Sequence, residues 1–335
     1  MNGPLVSVIV PNFNKASFVK ETLLSVMAQT CANFEVVIVD DTSTDDSVRV
    51  IEETIKDDAR FRLIKQPQGQ GGSAARNLGF ANSNGEFVMF FDSDDLLAPT
   101  CLERRVKTFL KAENQHVDFC VFPMGCFKKE VGDCASKWIP VKGQDDLSKF
   151  LAHQMPWTIM QPLWKRAFLE KLKIGNFVGP FDEEFPRLQD VEMHTRALLI
   201  GARYCICEDE ESDCYYRIDV ARTTMNHEVQ LLRQLNGFCL YVKKMGTQLV
   251  NAPSHAKAAL RLTLFSGFVA LCYWGQQGEV SRSFEKERIA ELFNVAEEEC
   301  LLRWYHTFLI KFYSSVLRGR VKGINWIMRT LLLHF

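Results

Sequence analysis

Gly85-Glu86-Phe87-Val88-Met89-Phe90-Phe91-Asp92-Ser93-Asp94-Asp95 is the stretch whose reading decides the fold. An apolar, strand-forming run passes without a break into three carboxylates. Such a strand belongs in a core, and its end delivers the carboxylates to one edge. Three carboxylates so close repel one another. They are tolerated when solvated, when capping a helix, or when holding a cation. A hard divalent cation with a phosphate ligand is the sharpest of these readings; an Asp-rich turn and helix cap is the plain one.

Working outward, strand-like and helix-like segments alternate through the first 125 residues. Leu5 to Val10 reads as a strand followed by the turn Pro11-Asn12-Phe13-Asn14. Ser17 is placed to cap a helix with Val19, Leu23, Val26 and Met27 on one face. Phe34 to Val39 is a second strand ending in Asp40-Asp41, and Ser43 or Thr44 is placed to cap the next helix, with Val48, Ile51 and Ile55 on one face. Phe61 to Ile64 is a third strand. The loop Gln68-Gly69-Gln70-Gly71-Gly72 precedes a helix that Ser73 opens and that runs through Ala81. After Phe87 to Phe91, a helix from Pro99 to Lys111 leads to a fifth strand at Val117 to Phe122. The pattern predicts an α/β fold with a doubly wound, mostly parallel sheet. A helical C-terminal region follows, dividing the chain into residues 1–217 and 218–335. Ligands of such sheets bind at the carboxyl ends of the strands. Pro11 to Asn14, Asp40-Asp41 and Asp92 to Asp95 therefore share one rim.

The 335 residues suffice for one large or two medium domains. A formal net charge of −1 argues against a general nucleic-acid binder. Eleven cysteines without metal-finger spacing point to a reducing, cytoplasmic setting. The strand-like run begins almost at once, without a signal-peptide pattern. No stretch of about 18 uncharged apolar residues is found. Residues 301–335 carry six Lys or Arg, no Asp or Glu, and several aromatics. That is the composition of a helix lying on the inner face of a membrane, or of a C-terminal helix packed on the body.

The rim residues suit a nucleotide. Phe13 can stack on a flat base, and Asp41 can accept from a base N–H. Gly71, Gly72 and Ser73 open a helix, where free backbone N–H groups favour phosphate. Arg76, one turn in, adds positive charge. Dinucleotide binding fails on the first turn, where Pro11-Asn12-Phe13-Asn14 stands in place of GxGxxG, and neither a P-loop nor HExxH occurs.

At these residues the chain resembles family 2 glycosyltransferases, which have the GT-A fold. The resemblance is carried by Ser7-Val8-Ile9-Val10-Pro11-Asn12-Phe13-Asn14 and by Val39-Asp40-Asp41-Thr42-Ser43-Thr44-Asp45, where the family usually has VDDGSTD. It continues in Ala74-Ala75-Arg76-Asn77-Leu78-Gly79, then Gly85-Glu86 and Phe91-Asp92-Ser93-Asp94-Asp95. The resemblance implies a nucleotide-diphospho-sugar donor, most often a UDP-sugar, with Mg²⁺ or Mn²⁺. It also implies inversion at the anomeric carbon; the expected acceptor is a saccharide, or a lipid-linked saccharide where the C-terminal helices lie on a membrane. By motif position Phe13 and Asp41 bind the base, with Pro11 and Asn14 in the same turn. Asp92 approaches the ribose or sugar, Asp94 ligates the metal, and Asp95 supports the loop or holds the sugar. The family commonly carries an acidic pair, often Glu-Asp, at the start of a later helix. Here it is Gln189-Asp190, which makes Asp190 the implied base, with a helix N-cap as its plain reading and Glu192 as the fallback. His194 reads as structural. Tyr215-Tyr216-Arg217 with Thr223-Thr224 resembles the family's closing motif, in which Arg217 meets the diphosphate or is a surface strand-end residue. His227 is a weak candidate for the metal shell. A sugar nucleotidyltransferase and a non-catalytic nucleotide-sugar binder are the competing functions.

Overall fold

The computed structural model describes residues 3–207, 211–218, 227–249, 254–299 and 301. They form two compact units. The first comprises residues 1–144 and 156–221, the second 145–155 and 222–335.

In chain order the first unit contains β1 (Val6–Asn12), α1 (Val19–Met27), β2 (Phe34–Asp40), α2 (Ser47–Ile55), β3 (Phe61–Lys65) and α3 (Gly72–Ala81). Next come β4 (Phe87–Phe90), β5 (Leu96–Leu97), α4 (Cys101–Phe109), β6 (Phe119–Val121), β7 (Met124–Phe127) and β8 (Lys137–Trp138). After α5 (Asp146–Leu151), which belongs to the second unit, the first continues with β9 (Pro162–Lys165), α6 (Arg166–Leu169), α7 (Gln189–Leu199), β10 (Tyr204–Ile206) and β11 (Cys214–Arg217).

The main sheet has the order β10-β6-β9-β4-β1-β2-β3. β3, β2, β1 and β4 are parallel, as the alternation predicts. β1 is buried from Val6 to Val10 because both of its faces are covered. Val6, Val8 and Val10 join Val36, Ile38, Phe87 and Met89 in a cluster with Val19, Leu23 and Val26 of α1 and Ile51 of α2. The alternate residues Val37 and Val39 meet Ala75 of α3 on the opposite face. A Cβ on Gly79 would lie 2.5 Å from Ile9 Cγ2, so glycine there lets α3 close onto β1.

The fifth predicted strand, β6, does not lie beside β4 in the sheet. β9 enters between them, antiparallel to both. It arises from an irregular, Trp- and Pro-containing stretch whose short apolar run carries no readable period. The helix caps also differ. Phe18 rather than Ser17 precedes α1, and Asp46 rather than Ser43 or Thr44 precedes α2, neither with a side-chain cap bond. Ser43 is occupied elsewhere, accepting from Asn14 N–H at 2.9 Å and donating to Asp40 at 2.6 Å.

A second, four-stranded sheet has the order β5-β11-β7-β8 and brings β11 against the segment after the acidic turn. In the second unit, α8 (His227–Gln248), α9 (Ser254–Gln277) and α10 (Arg282–Glu298) accompany α5. Tyr241 donates to Phe150 O at 3.2 Å and Thr263 to Leu151 O at 2.6 Å, fastening α5 to α8 and α9. Within α9, His255–Gly275 is long and apolar enough to cross a membrane by length and composition. It contains Lys257 and Arg261, and most of it is buried within the described structure, as in a core helix. Thr223-Thr224, the side chain of His227 and residues 302–335 lie outside the described residues.

Candidate active site

The carboxyl ends of β1, β2 and β4 meet at one rim, with Asn12 in register with Asp40 and Ile9 with Phe90. Pro11 lies beyond the last β4 rung on β1, where its missing N–H is tolerated. Phe13 follows, 52% exposed, its ring open for stacking. Asn14 has a left-handed backbone, with φ 51°. Its side-chain oxygen accepts from Thr44 N–H at 2.8 Å. Asn14 therefore ties the first turn to the loop after β2, and that oxygen does not face an open site.

Asp41 is 7% exposed and surrounded by donors. Its Oδ1 accepts from Gln66 Nε2 and from Gln70 N–H, each at 2.7 Å, and its Oδ2 accepts from Gly71 N–H at 2.8 Å. The glycine loop is thus wrapped around one carboxylate. Thr42, where the resembling family usually has Gly, takes a φ of 63°, costly for a β-branched residue. Its hydroxyl donates to Asp41 O at 2.6 Å.

α3 begins at Gly72, after Gly71 with φ 90°. Arg76, one turn in, donates to Asp92 Oδ1 at 2.5 Å. Its Nε is buried without a hydrogen-bond partner among the described residues. A Cβ on Gly72 would lie 3.0 Å from Arg76 Nη1 and 3.7 Å from Gln189 Nε2, so this glycine gives room to both. Asn77 turns the other way. It exchanges two hydrogen bonds with the Phe181 backbone, each 2.9 Å, and donates to Glu183 at 2.8 Å. That anchors the segment leading to α7.

α7 carries Asp190 to the same rim. Leu188, with φ 66°, is its N-cap, so Asp190 stands inside the first turn and is not the cap. Its Oδ1 accepts from Val191 N–H at 2.9 Å. Burial pushes the Asp190 carboxyl above the ordinary aspartate value, opposed by the Val191 N–H and the Arg76 guanidinium, while the Asp92 charge adds to the push. Glu192, the fallback base, is excluded by position. It is 1% exposed and makes a two-point ion pair with Arg196, with contacts of 2.7 and 2.9 Å. His194 is structural, as expected. It stacks on Trp164 at 5.7 Å, and burial lowers its pKa to about 3, against a hydrogen bond with the Asp190 backbone.

The three aspartates of the acidic turn sit in different environments. Asp92 pairs with Arg76. Asp94 pairs with Lys15, which directly follows the first turn and which sequence reasoning passed over. Asp95 is 1% exposed and accepts from Arg217 N–H at 2.7 Å. Its carboxyl is pushed well up by burial and by the charges of Asp92 and Asp94. Arg217 differs from both of its expected roles. It is buried, it donates to Asp94 O at 2.7 Å and to Glu21 at 2.5 Å, and its guanidinium lies 4.3 Å from the Phe127 ring centroid. It is a strut behind the acidic turn.

Among the described residues no group of three or more His, Cys, Asp or Glu side chains is arranged to hold a metal ion. A hard cation such as Mg²⁺ is commonly held by one or two carboxylates, with substrate phosphates and water completing its shell. Asp94 beside a diphosphate fits that donor set.

The mostly parallel sheet with its strand ends gathered at one rim is the GT-A fold. Residues 7–153 match the model of glycosyl transferase family 2. It is 30% identical over 211 residues to the uncharacterized glycosyltransferase EpsJ of Bacillus subtilis, covering 60% of this chain and 58% of that protein. It is 38% identical over 111 residues to an uncharacterized glycosyltransferase of Haemophilus influenzae, covering 33% of this chain and 44% of that one. The chain thus spans only part of the length of these curated relatives. Among solved structures, S. aureus TarS 1–349 in complex with UDP-GlcNAc is similar with a TM-score of 0.66 and 19% identity, over 98% of this chain and 90% of that one.

Proposed function

We propose that the first unit transfers a sugar from a UDP-sugar to an acceptor hydroxyl with inversion, using Mn²⁺ or Mg²⁺. The observation that carries this reading is the junction of Arg76 with Asp92 and with the start of α7. It sets a donor-side carboxylate and a carboxylate of raised basicity at one rim. Phe13 stacks on the base, Asp41 reads it, and Gly72 and Arg76 face the diphosphate. Asp92 takes the ribose or sugar, and Asp95 supports the turn. Asp94 would hold the cation once Lys15 yields its carboxylate. When bound, the ion supplies Lewis-acid neutralisation of the departing diphosphate. A resemblance in fold to a structure of the mannosyltransferase PcManGT from Pyrobaculum calidifontis in complex with GDP-Man and Mn²⁺ supports a divalent ion (TM-score 0.53, 19% identity, 99% of this chain and 85% of that one).

Asp190 removes the proton from the acceptor hydroxyl as it attacks the anomeric carbon in line with the diphosphate. Its raised pKa strengthens it as a base. Fixed donor and acceptor positions supply the orientation. Gln189, lacking charge, spares Asp190 a like-charged neighbour. We assign the reaction to surface polysaccharide or glycolipid synthesis, supported by the relation to Bacillus subtilis TuaG, described as a putative teichuronic acid biosynthesis glycosyltransferase (33% identical over 108 residues). The basic, aromatic segment 301–335 then meets an anionic membrane surface. Asp190→Asn should leave UDP affinity within about twofold and lower turnover at least about 100-fold. Near-normal turnover would place the base elsewhere.

A further inference from the structure

Asp41 has more donors on it than a base-reading carboxylate needs. An ionised carboxylate offers about four lone-pair positions, two on each oxygen. Gln66 Nε2 and Gln70 N–H fill both positions on Oδ1, and Gly71 N–H takes one on Oδ2. One acceptor position remains, on Oδ2.

The arrangement is built in. Gln66 is 7% exposed, and its own N–H donates to Asp40 O at 2.9 Å, continuing the β2–β3 ladder past its last rung. Facing an acceptor-only carboxylate, its amide must present nitrogen. Gly69 closes the other side: a Cβ there would lie 2.9 Å from Thr42 Oγ1 and 3.9 Å from Asp41 Oδ1. Oδ1 is therefore enclosed by the protein's own donors.

We infer that Gln66 is a specificity-determining residue that restricts Asp41 to bases offering a single N–H, selecting uridine over guanosine diphosphate donors. Uracil presents one ring N–H between two carbonyls, which a single acceptor satisfies. Guanine presents a ring N–H and an amino N–H side by side, which call for both carboxylate oxygens. Against this Asp41 the second guanine donor meets an Oδ1 already occupied by Gln66 and Gln70, donor against donor. An unpaired buried polar group of this kind is what makes hydrogen-bond selectivity strong, and the repulsive contact is the discriminating one.

The inference rests on the donor-site reading above, and the test separates the two. UDP and GDP dissociation constants are measured by calorimetry with excess Mn²⁺ for the wild-type chain and for Gln66→Met, which removes the donor at similar volume. The wild type should bind UDP at least about tenfold tighter than GDP, and Gln66→Met should shrink that ratio at least about tenfold. A purely structural role would weaken both nucleotides alike and leave the ratio unchanged. Wild-type GDP binding as tight as UDP binding, or an unchanged ratio in Gln66→Met, overturns the inference while leaving the donor site standing. Binding of neither nucleotide by the wild type overturns both. If Gln66→Met shows no cooperative unfolding, Gln66→Asn, whose shorter amide withdraws from Asp41, carries the same comparison.

Discussion

Asp92, Asp94 and Asp95 are sequence neighbours, yet one is clasped by Arg76, one by Lys15, and one is buried over the Arg217 N–H. Each partner comes from a different part of the chain, which is how mutual repulsion in the turn is offset. Arg76 has the widest reach, since it pairs with Asp92 and opposes the rise in the Asp190 pKa. Arg76→Ala should raise the UDP dissociation constant at least about tenfold, or ~1.4 kcal/mol. An unchanged constant in a titration would remove it from the diphosphate site. Asp190 also fixes a pH dependence. It must be ionised to accept a proton, so kcat/KM should fall as pH drops through its raised pKa. The midpoint should lie above the ordinary aspartate value of about 3.9. An acid limb at or below that value in a pH–rate profile would disown Asp190 as the base. At this scale the acidic turn, Phe13, Asp41 and Arg76 were legible as rim residues because each stands at a strand end or helix start, whereas Asp190 was marked only by the family resemblance. Gln66 was open to the same logic, being at the end of β3, but no carboxylate marked it. Lys15 and Glu21 were not legible, because pairing across long sequence separations leaves no local pattern.

α3 shows what packing between elements demands. Its outward turn serves the rim, while Gly79 presses on Ile9 of β1. Gly79→Ala places a methyl where the side chain already stands and should cost about 1–3 kcal/mol in urea unfolding. A neutral effect would mean that α3 is free to shift. α7 supplies a second test. His194 is neutral in the fold, because burial lowers its pKa to about 3, and takes up a proton near pH 6.5 when unfolded. Its contribution is therefore present above the unfolded pKa and is lost as pH falls toward 3. Below about pH 6 the wild type should lose up to ~1.4 kcal/mol per pH unit that His194→Gln does not lose. Equal slopes for both proteins would contradict a buried neutral His194. The parallel strands were readable because both of their faces are buried and their apolar runs are continuous. β9 was not, because a four-residue strand pairing antiparallel to neighbours distant in the chain has no period to detect.

The two units exchange chain. Residues 145–155 leave the first unit to join the second before the chain returns at Pro156, a crossing that composition did not mark. Phe150 and Leu151 of α5 are fully buried in the described structure, held to α8 and α9 by Tyr241 and Thr263. A protein ending at Ala221 loses those partners and should lose about 3 kcal/mol or more from those two side chains alone. Unchanged thermal stability would show that α5 does not need the helices. Segment 301–335 gives a membrane test. Full-length protein should float with anionic liposomes, and a version ending at Val295 should not. Equal recovery would discard the membrane contact. The claim on which the whole account stands is that the rim of the first unit is a metal-dependent nucleotide site centred on Asp94. Calorimetric titration of UDP into wild-type protein and Asp94→Ala, each with Mn²⁺ and with EDTA, tests it most directly. Binding that requires Mn²⁺ in the wild type and is lost in Asp94→Ala is the predicted result; equal affinity in EDTA, or in Asp94→Ala, would contradict it.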